Sequence, residues 1–318
     1  MEYDGNPSLI RPPLDPLAAA IPPDVRDGWR ANPTKELVYR LEVLCACGPT
    51  PSDQRLAQMI MHRRAVRAAW DTYVSCAYAC RFFEGGKGRD LRGRLCGRNP
   101  DGFRSAMAEC LVCWFLAGRV GLRLVASSPG RGRRNLDMGV LIDGQEIGVE
   151  VKAPYKPRSG QVNWGHDGEV LGQSLESANR QFRDDVPNLL LLVPQLRRPV
   201  FGFRTQLVAA LYGQEKIVLS IDTRTGEAAG PATLKFFPDG RMSRPIKPDG
   251  TPGYTRVSAV MVIEEKLAVG VEDMWIDHNV LVAHNPFAKR PLFPAHLPIP
   301  IQFMDLGTGF GWSDGERL

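Results

Sequence analysis

The sequence has no apolar run near the roughly 18 residues that a bilayer-spanning helix needs, so no membrane span is expected. Its opening, MEYDGNPSLIRPPLDP, lacks the basic-then-apolar order of a secretory signal, and a cytoplasmic setting is the expectation. No glycine-rich phosphate loop of the P-loop or dinucleotide type occurs, which sets aside the nucleotide-binding classes built on those loops. Histidine is scarce, at 5, and His166 has no second histidine at a zinc-ligand spacing. Cysteine is present but odd in number, at 7, which reads as free thiols in a reducing compartment. Cys110-x-x-Cys113, Cys45/Cys47 and Cys76/Cys80 lie among apolar residues and read as buried thiols.

What is present is ordinary in amount. A chain of 318 residues with 43% hydrophobic and 24% charged residues can bury one main domain plus an accessory region. A net charge of +5 and a pI near 8.9 suit a polyanionic partner without requiring one. Residues 1–33 are proline-rich and read as an extended arm. Residues 34–100 read as a helical accessory region with a basic linker, and residues 101–318 as the main domain. In the accessory region Leu56, Met59, Val66, Trp70, Tyr73, Ala77 and Cys80 mark one face of an amphipathic helix. Glu84 to Asp101, rich in glycine and arginine, is expected to be either a mobile basic loop or a solvated linker. Ser105 to Gly118 reads as a helix apolar nearly all round. Glu109 is its one charge, so it needs a partner or a cleft, unless it lies at an exposed edge.

The most informative stretch is NLDMGVLIDGQEIGVEVKAP, residues 135–154. Asp143-Gly144 between two alternating apolar runs predicts a type I′ hairpin, since both turn residues must tolerate positive φ. Opposed residues then have numbers that add to 287. Asp137 faces Glu150 with Cβ atoms roughly 5 Å apart, and Lys152 shares their face at i+2. Gly139 faces Gly148, leaving the strand surface bare beside the acids. Met138, Val140, Ile142, Ile147, Val149 and Val151 fall on the other, core face. A loop one residue longer would reverse one strand's faces. Opposed carboxylates repel, and a divalent cation would convert the repulsion into coordination; simple solvation of an exposed hairpin is the alternative.

Around this hairpin the pattern is α/β. Leu122 to Val125 reads as a strand, and Ser128 to Arg134 as a loop whose Arg131, Arg133 and Arg134 suit phosphate contacts. Leu171 to Arg183 reads as a helix and Leu189 to Val193 as a parallel strand reached by crossover. Phe201 to Gly213 reads as a helix. Lys216 to Asp222, Val257 to Glu264 and Val280 to Ala283 read as strands, Phe237 to Gly253 as a loop or hairpin, and the chain from Pro291 as a surface wrap.

Leu136-Asp137, followed by Glu150-Val151-Lys152, resembles the paired motifs of the PD-(D/E)XK nuclease superfamily, with Leu136 standing where that family usually has proline. The resemblance spans roughly Ser105 to Val193. It implies a restriction-endonuclease-like α/β core with a mixed central sheet flanked by helices, and Mg²⁺- or Mn²⁺-dependent hydrolysis of phosphodiester bonds. Asp137, Glu150 and the Val151 carbonyl would hold the metal. Lys152 would orient water or stabilise developing charge, and Glu109 would supply the family's helix acid. Gln181, or else Gln173, would reach the site from the following helix. DNA is the implied partner, with RNA left open, and bacterial defence or repair the implied setting. Some relatives in that superfamily carry an iron–sulfur cluster on cysteines. A non-cleaving nucleic-acid-binding module on the same fold is the alternative function, and a homodimer or protein partner through the N-terminal helical region is left open. A second nuclease type, with His278 and His284 as candidates, lacks the surrounding residues it would need.

Overall fold

The computed structural model describes residues 53–125, 128–131, 135–154, 166–194, 208, 211–218, 221, 223–226, 233–237, 240–242, 252–269, 274–299, 301–305 and 310–314. The proline-rich arm, Cys45, Cys47, Arg133, Arg134, most of the expected helix Phe201 to Gly213 and most of Phe237 to Gly253 lie outside these. Two compact units divide the chain, Met1–Ala126 with Glu265–His278, and Ser127–Glu264 with Asn279–Leu318.

The first unit is helical. Helix α1 (Asp53–Ala79) buries Val66, Trp70, Tyr73 and Ala77, the stripe that its spacing predicts. It closes with paired C-terminal bonds: the Phe82 N–H reaches the Ala77 carbonyl and the Arg81 N–H the Tyr78 carbonyl, both at 2.9 Å. Arg81 takes φ 66°, the left-handed position that this closure needs. Glu84 to Asp101 is not the loop expected, because it contains helix α2 (Gly85–Cys96). Gly88, Leu91 and Leu95 form a buried stripe at helical spacing. Gly88 is required rather than merely tolerated, since a Cβ there would stand 2.0 Å from the Phe83 carbonyl carbon. Packing against neighbours outweighs the weak helix propensity of glycine, about 1 kcal/mol each. Helix α3 (Pro100–Cys113) starts five residues earlier than expected, with the Asn99 side chain capping the Asp101 N–H and proline in the first turn. It runs on into a π-helical turn, Trp114–Arg119, then a short strand β1 (Arg123–Val125).

The second unit is a mixed α/β sheet. In chain order the strands are β2 (Ser128–Pro129), β3 (Asn135–Leu136), β4 (Met138–Ile142), β5 (Gln145–Lys152), β6 (Asn188–Leu192), β7 (Gln214–Val218), β8 (Thr233–Phe237), β9 (Ala259–Val269), β10 (Met274–His284), β11 (Ile301–Asp305) and β12 (Phe310–Asp314), with the end of β9 from Glu265 and the start of β10 to His278 falling in the first unit. The central order is β4-β5-β6-β9-β10-β11-β12, while β2 pairs with β3 and β7 with β8 in separate ribbons. β4–β5 and β11–β12 are antiparallel; β5–β6, β6–β9 and β10–β11 are parallel. Helix α4 (His166–Gln181) makes the crossover from β5 to β6. It presents Leu171, Leu175 and Ala178, with Phe182 just past its end, to a core shared with Leu136, Leu190, Leu192, Val260 and Val262. Strands β11 and β12 replace the expected wrap from Pro291. The buried Gln302 amide donates to the carbonyls of Pro294, Leu297 and Ile299 at 3.2, 2.9 and 3.0 Å, tying the proline-rich stretch to a strand.

Asn188 fixes the start of β6. Its Nδ2 donates to the carbonyls of Arg183, Val186 and Arg256 at 2.8, 2.9 and 3.0 Å, and its main-chain N–H donates to Ser258 Oγ at 2.8 Å. Asn188→Asp would turn a buried acceptor toward three carbonyls. Urea unfolding at neutral pH is expected to show a loss of about 3 kcal/mol or more.

Candidate active site

The hairpin register is the one that its turn predicts. Met138 pairs with Val149, Gly139 with Gly148 and Val140 with Ile147, and Asp143 and Gly144 take φ of 50° and 78°. Met138, Val140, Ile147, Val149 and Val151 are buried as expected, whereas Ile142 is only half-buried. The strand surface at Gly148 is not bare. A Cβ there would meet Leu136 Cδ1 at 2.6 Å and Asn188 Oδ1 at 2.7 Å, so glycine leaves room for those two side chains.

The ladder stops at Met138, one residue short of the expected Asp137–Glu150 opposition. Asp137 lies just beyond it and bends its carboxylate to the neighbouring amide, with Oδ2 accepting the Val151 N–H at 2.9 Å. On β5, Glu150 and Lys152 share a face at i+2, and Lys152 Nζ donates to Glu150 Oε1 at 2.6 Å. The Glu150 side chain is 5% exposed and that of Lys152 26%, so the acid is buried while the amine reaches the edge. Parallel pairing puts Glu150 beside Leu190 and Lys152 beside Leu192, on the face that α4 covers. Two carboxylates, a main-chain amide and one ammonium therefore converge where β5 ends. They form a compact, mostly buried, oxygen-rich group able to hold a hard cation.

The remaining expected residues are distributed around this point. Arg131 is exposed, and its N–H donates to the Gln181 carbonyl at 2.8 Å. In a parallel crossover the helix returns from the C-terminal ends of the strands to their N-terminal ends, so Gln181 closes α4 at the end opposite Lys152. The Gln181 side chain turns back on Ser177, its Nε2 3.5 Å from the carbonyl and from Oγ. Gln173 is exposed. Glu109 belongs to the helical unit, where Arg94 Nη1 donates to its Oε1 at 2.8 Å and Lys87 Nζ lies 3.7 Å from Oε2. That supplies the partner its burial demands. His284 is buried and structural, Nδ1 lying 2.9 Å from the Leu292 carbonyl and Nε2 2.6 Å from Gln302 Oε1. His166 lies in α4 rather than in the expected loop.

Compared with protein-family models, with curated proteins and with solved structures, the chain finds no match.

A second polar group, in the helical unit, carries no motif that would reveal it. The Tyr73 hydroxyl donates to Glu265 Oε1 at 2.9 Å and lies 2.6 Å from His278 Nε2. The hydroxyl has one proton, so with Tyr73 donating to Glu265 the His278 Nε2 must carry its own. The Trp114 ring packs at 5.1 Å from Tyr73 and 4.7 Å from His278, with Arg119 over its face at 5.8 Å. Burial pushes the Glu265 carboxyl up to about 7, opposed by the hydrogen bond from Tyr73. Burial pushes His278 down to about 4, with Asp277 acting the other way and Arg119 the same way. The sequence distances, 192 and 205 residues from Tyr73, explain why no local pattern showed this group.

The two shifts oppose each other in stability. Glu265 favours the folded state while protonated, and that contribution is lost as pH rises from about 4.5 to about 7. His278 favours it while neutral, and that contribution is lost as pH falls from about 6.5 to about 4. Urea unfolding across this range is expected to show Glu265→Gln gaining stability relative to wild type as pH rises. His278→Asn gains it as pH falls. Each slope is at most about 1.4 kcal/mol per pH unit.

Proposed function

We propose that the sheet unit is a divalent-cation-dependent nuclease of the PD-(D/E)XK type, with a restriction-endonuclease-like core, that hydrolyses phosphodiester bonds in DNA. The observation that carries this reading is the pair of contacts at the end of β5. Asp137 meets the Val151 amide at 2.9 Å, and Lys152 meets Glu150 at 2.6 Å. The motif residues thereby become one constellation. The element order supports the same reading: an antiparallel hairpin carries the acids, and a helical crossover leads to a parallel strand.

The donor set suits magnesium or manganese. Two carboxylates meet an ammonium there among the described residues, and the donors that would take the ion are hard oxygens. Asp137, Glu150 and the Val151 carbonyl would hold the ion. When bound, such an ion lowers the pKa of a coordinated water and offsets charge on the attacked phosphate. Lys152 keeps an ammonium at the same place, where it stabilises negative charge developing on the phosphoryl oxygens. The buried flank made by Leu136 and α4 limits water around these groups and strengthens each electrostatic contact. Arg131, held beside the end of α4 opposite Lys152, would reach only phosphates away from the cut and so would position the duplex without reading its sequence.

The test is incubation with supercoiled plasmid and Mn²⁺ or Mg²⁺. Wild type is expected to nick or cut the plasmid only with metal present. Lys152→Ala and Asp137→Asn are expected to lose about 100-fold or more in rate, with melting curves run beside them because Lys152→Ala leaves the buried Glu150 without its amine. Equal activity in wild type and variants would refute this site. DNA binding without cleavage would favour a non-cleaving module on the same fold.

A further inference from the structure

We infer that Cys76, Cys80 and Cys113 form a second, chemically distinct metal site in the helical unit, a three-thiolate centre for a single zinc ion. One ligand sulfur from each lies within 4.8 Å of the other two. Zinc–thiolate bonds of about 2.3 Å put two sulfurs on one ion about 3.8 Å apart when tetrahedral and never beyond about 4.6 Å. The three side chains therefore stand nearly at the spacing of a mononuclear site. Soft thiolates select zinc over magnesium or manganese, so this centre and the carboxylate site answer to different ions.

The backbone places each sulfur for a reason. Cys76 and Cys80 are four apart at the end of α1, on one face, and the Cys80 N–H bonds the Cys76 carbonyl at 2.9 Å. Cys80 is the last residue before Arg81 takes its left-handed turn, so the chain leaves the helix there. Cys113 ends α3, where the helix widens into the π-helical turn Trp114–Arg119, an irregularity that recurs at functional sites. Gly118 in that turn lies beside the group, where a Cβ would stand at ordinary contact distance, 3.7 Å, from Cys76 Sγ. The Cys110-x-x-Cys113 spacing misleads, because Cys110 is buried but does not belong to this group.

On binding, each thiol releases its proton to solvent as its sulfur gives a lone pair to the ion, with no change in oxidation state. Among the described residues no fourth histidine, cysteine, aspartate or glutamate joins the group within that radius. Cys76 and Cys113 are buried and Cys80 is half-exposed, so the fourth position opens on the Cys80 side to water or an external donor.

Cobalt reports such a site directly. The full chain, reduced and stripped with chelator, is titrated anaerobically with Co²⁺. Sulfur-to-cobalt charge-transfer absorption and tetrahedral visible bands are expected to saturate at one ion per chain and to vanish when Zn²⁺ is added. Cys80→Ser, at a half-exposed position, is expected to lose the charge-transfer band, and Cys96→Ser, outside the group, to keep it. Circular dichroism verifies the fold of each variant. Absence of the band in wild type, or its persistence at full strength in Cys80→Ser, overturns the assignment. Oxygen ligands give no such band, so the result is independent of the nuclease reading.

Discussion

The hydrogen bond from the Val151 N–H to Asp137 decides what the hairpin can do. Where a ladder ends, the next amide needs an acceptor, and here a carboxylate supplies it. This holds Asp137 against the strand that carries Glu150 and Lys152, although the chain enters the ladder only at the next residue. Leu136, fully buried over Gly148, fixes the approach from the other side. Asn188 then locks the strand next to Gly148 by donating to three carbonyls at once. A polar constellation at a sheet end thus rests on an apolar side chain, a glycine and a buried amide. Its electrostatics follow from that support, because a buried carboxylate is sensitive to every charge brought near it.

Much of this was legible in the sequence because it is local. Asp143-Gly144 specifies the turn through positive φ, and the turn specifies the register, so the faces of Met138 to Lys152 could be assigned from spacing alone. The crossover helix and β6 were likewise readable, from one apolar stripe and one run of leucines. Failures came where distant contacts overrode local signals. Glycine and arginine in Glu84 to Asp101 suggest a loop, yet Leu91 and Leu95 find a core and Gly88 fits against Phe83. Proline density after Pro291 hides two strands, the first of which is tied to that stretch by Gln302 through the carbonyls of Pro294, Leu297 and Ile299. Asp137 defeated the simple ladder because a side chain, not a neighbouring strand, completed the pairing.

The helical unit illustrates the same limit more sharply. Its polar groups meet across large sequence separations: Arg94 with Glu109, Tyr73 with Glu265 and His278, and Cys113 with Cys76 and Cys80. Each answers the cost of burying a polar or ionisable group by supplying a partner from another element. Glu265 and His278 shift in opposite directions under the same burial, so their effects on stability compensate over the mildly acidic range. The same burial acts on an acid and a base, and the sign of each shift follows from which form is charged.

Divalent-cation binding at the end of β5 is the central claim, and thermal unfolding in increasing Mn²⁺ tests it without requiring the right substrate. An ion that binds only the folded chain raises the melting temperature in step with its concentration. Such a rise is expected in wild type and its loss in Asp137→Asn, with the variant otherwise folded. An equal rise in both, or none in wild type, would contradict the assignment of Asp137 and Glu150 as the ligands.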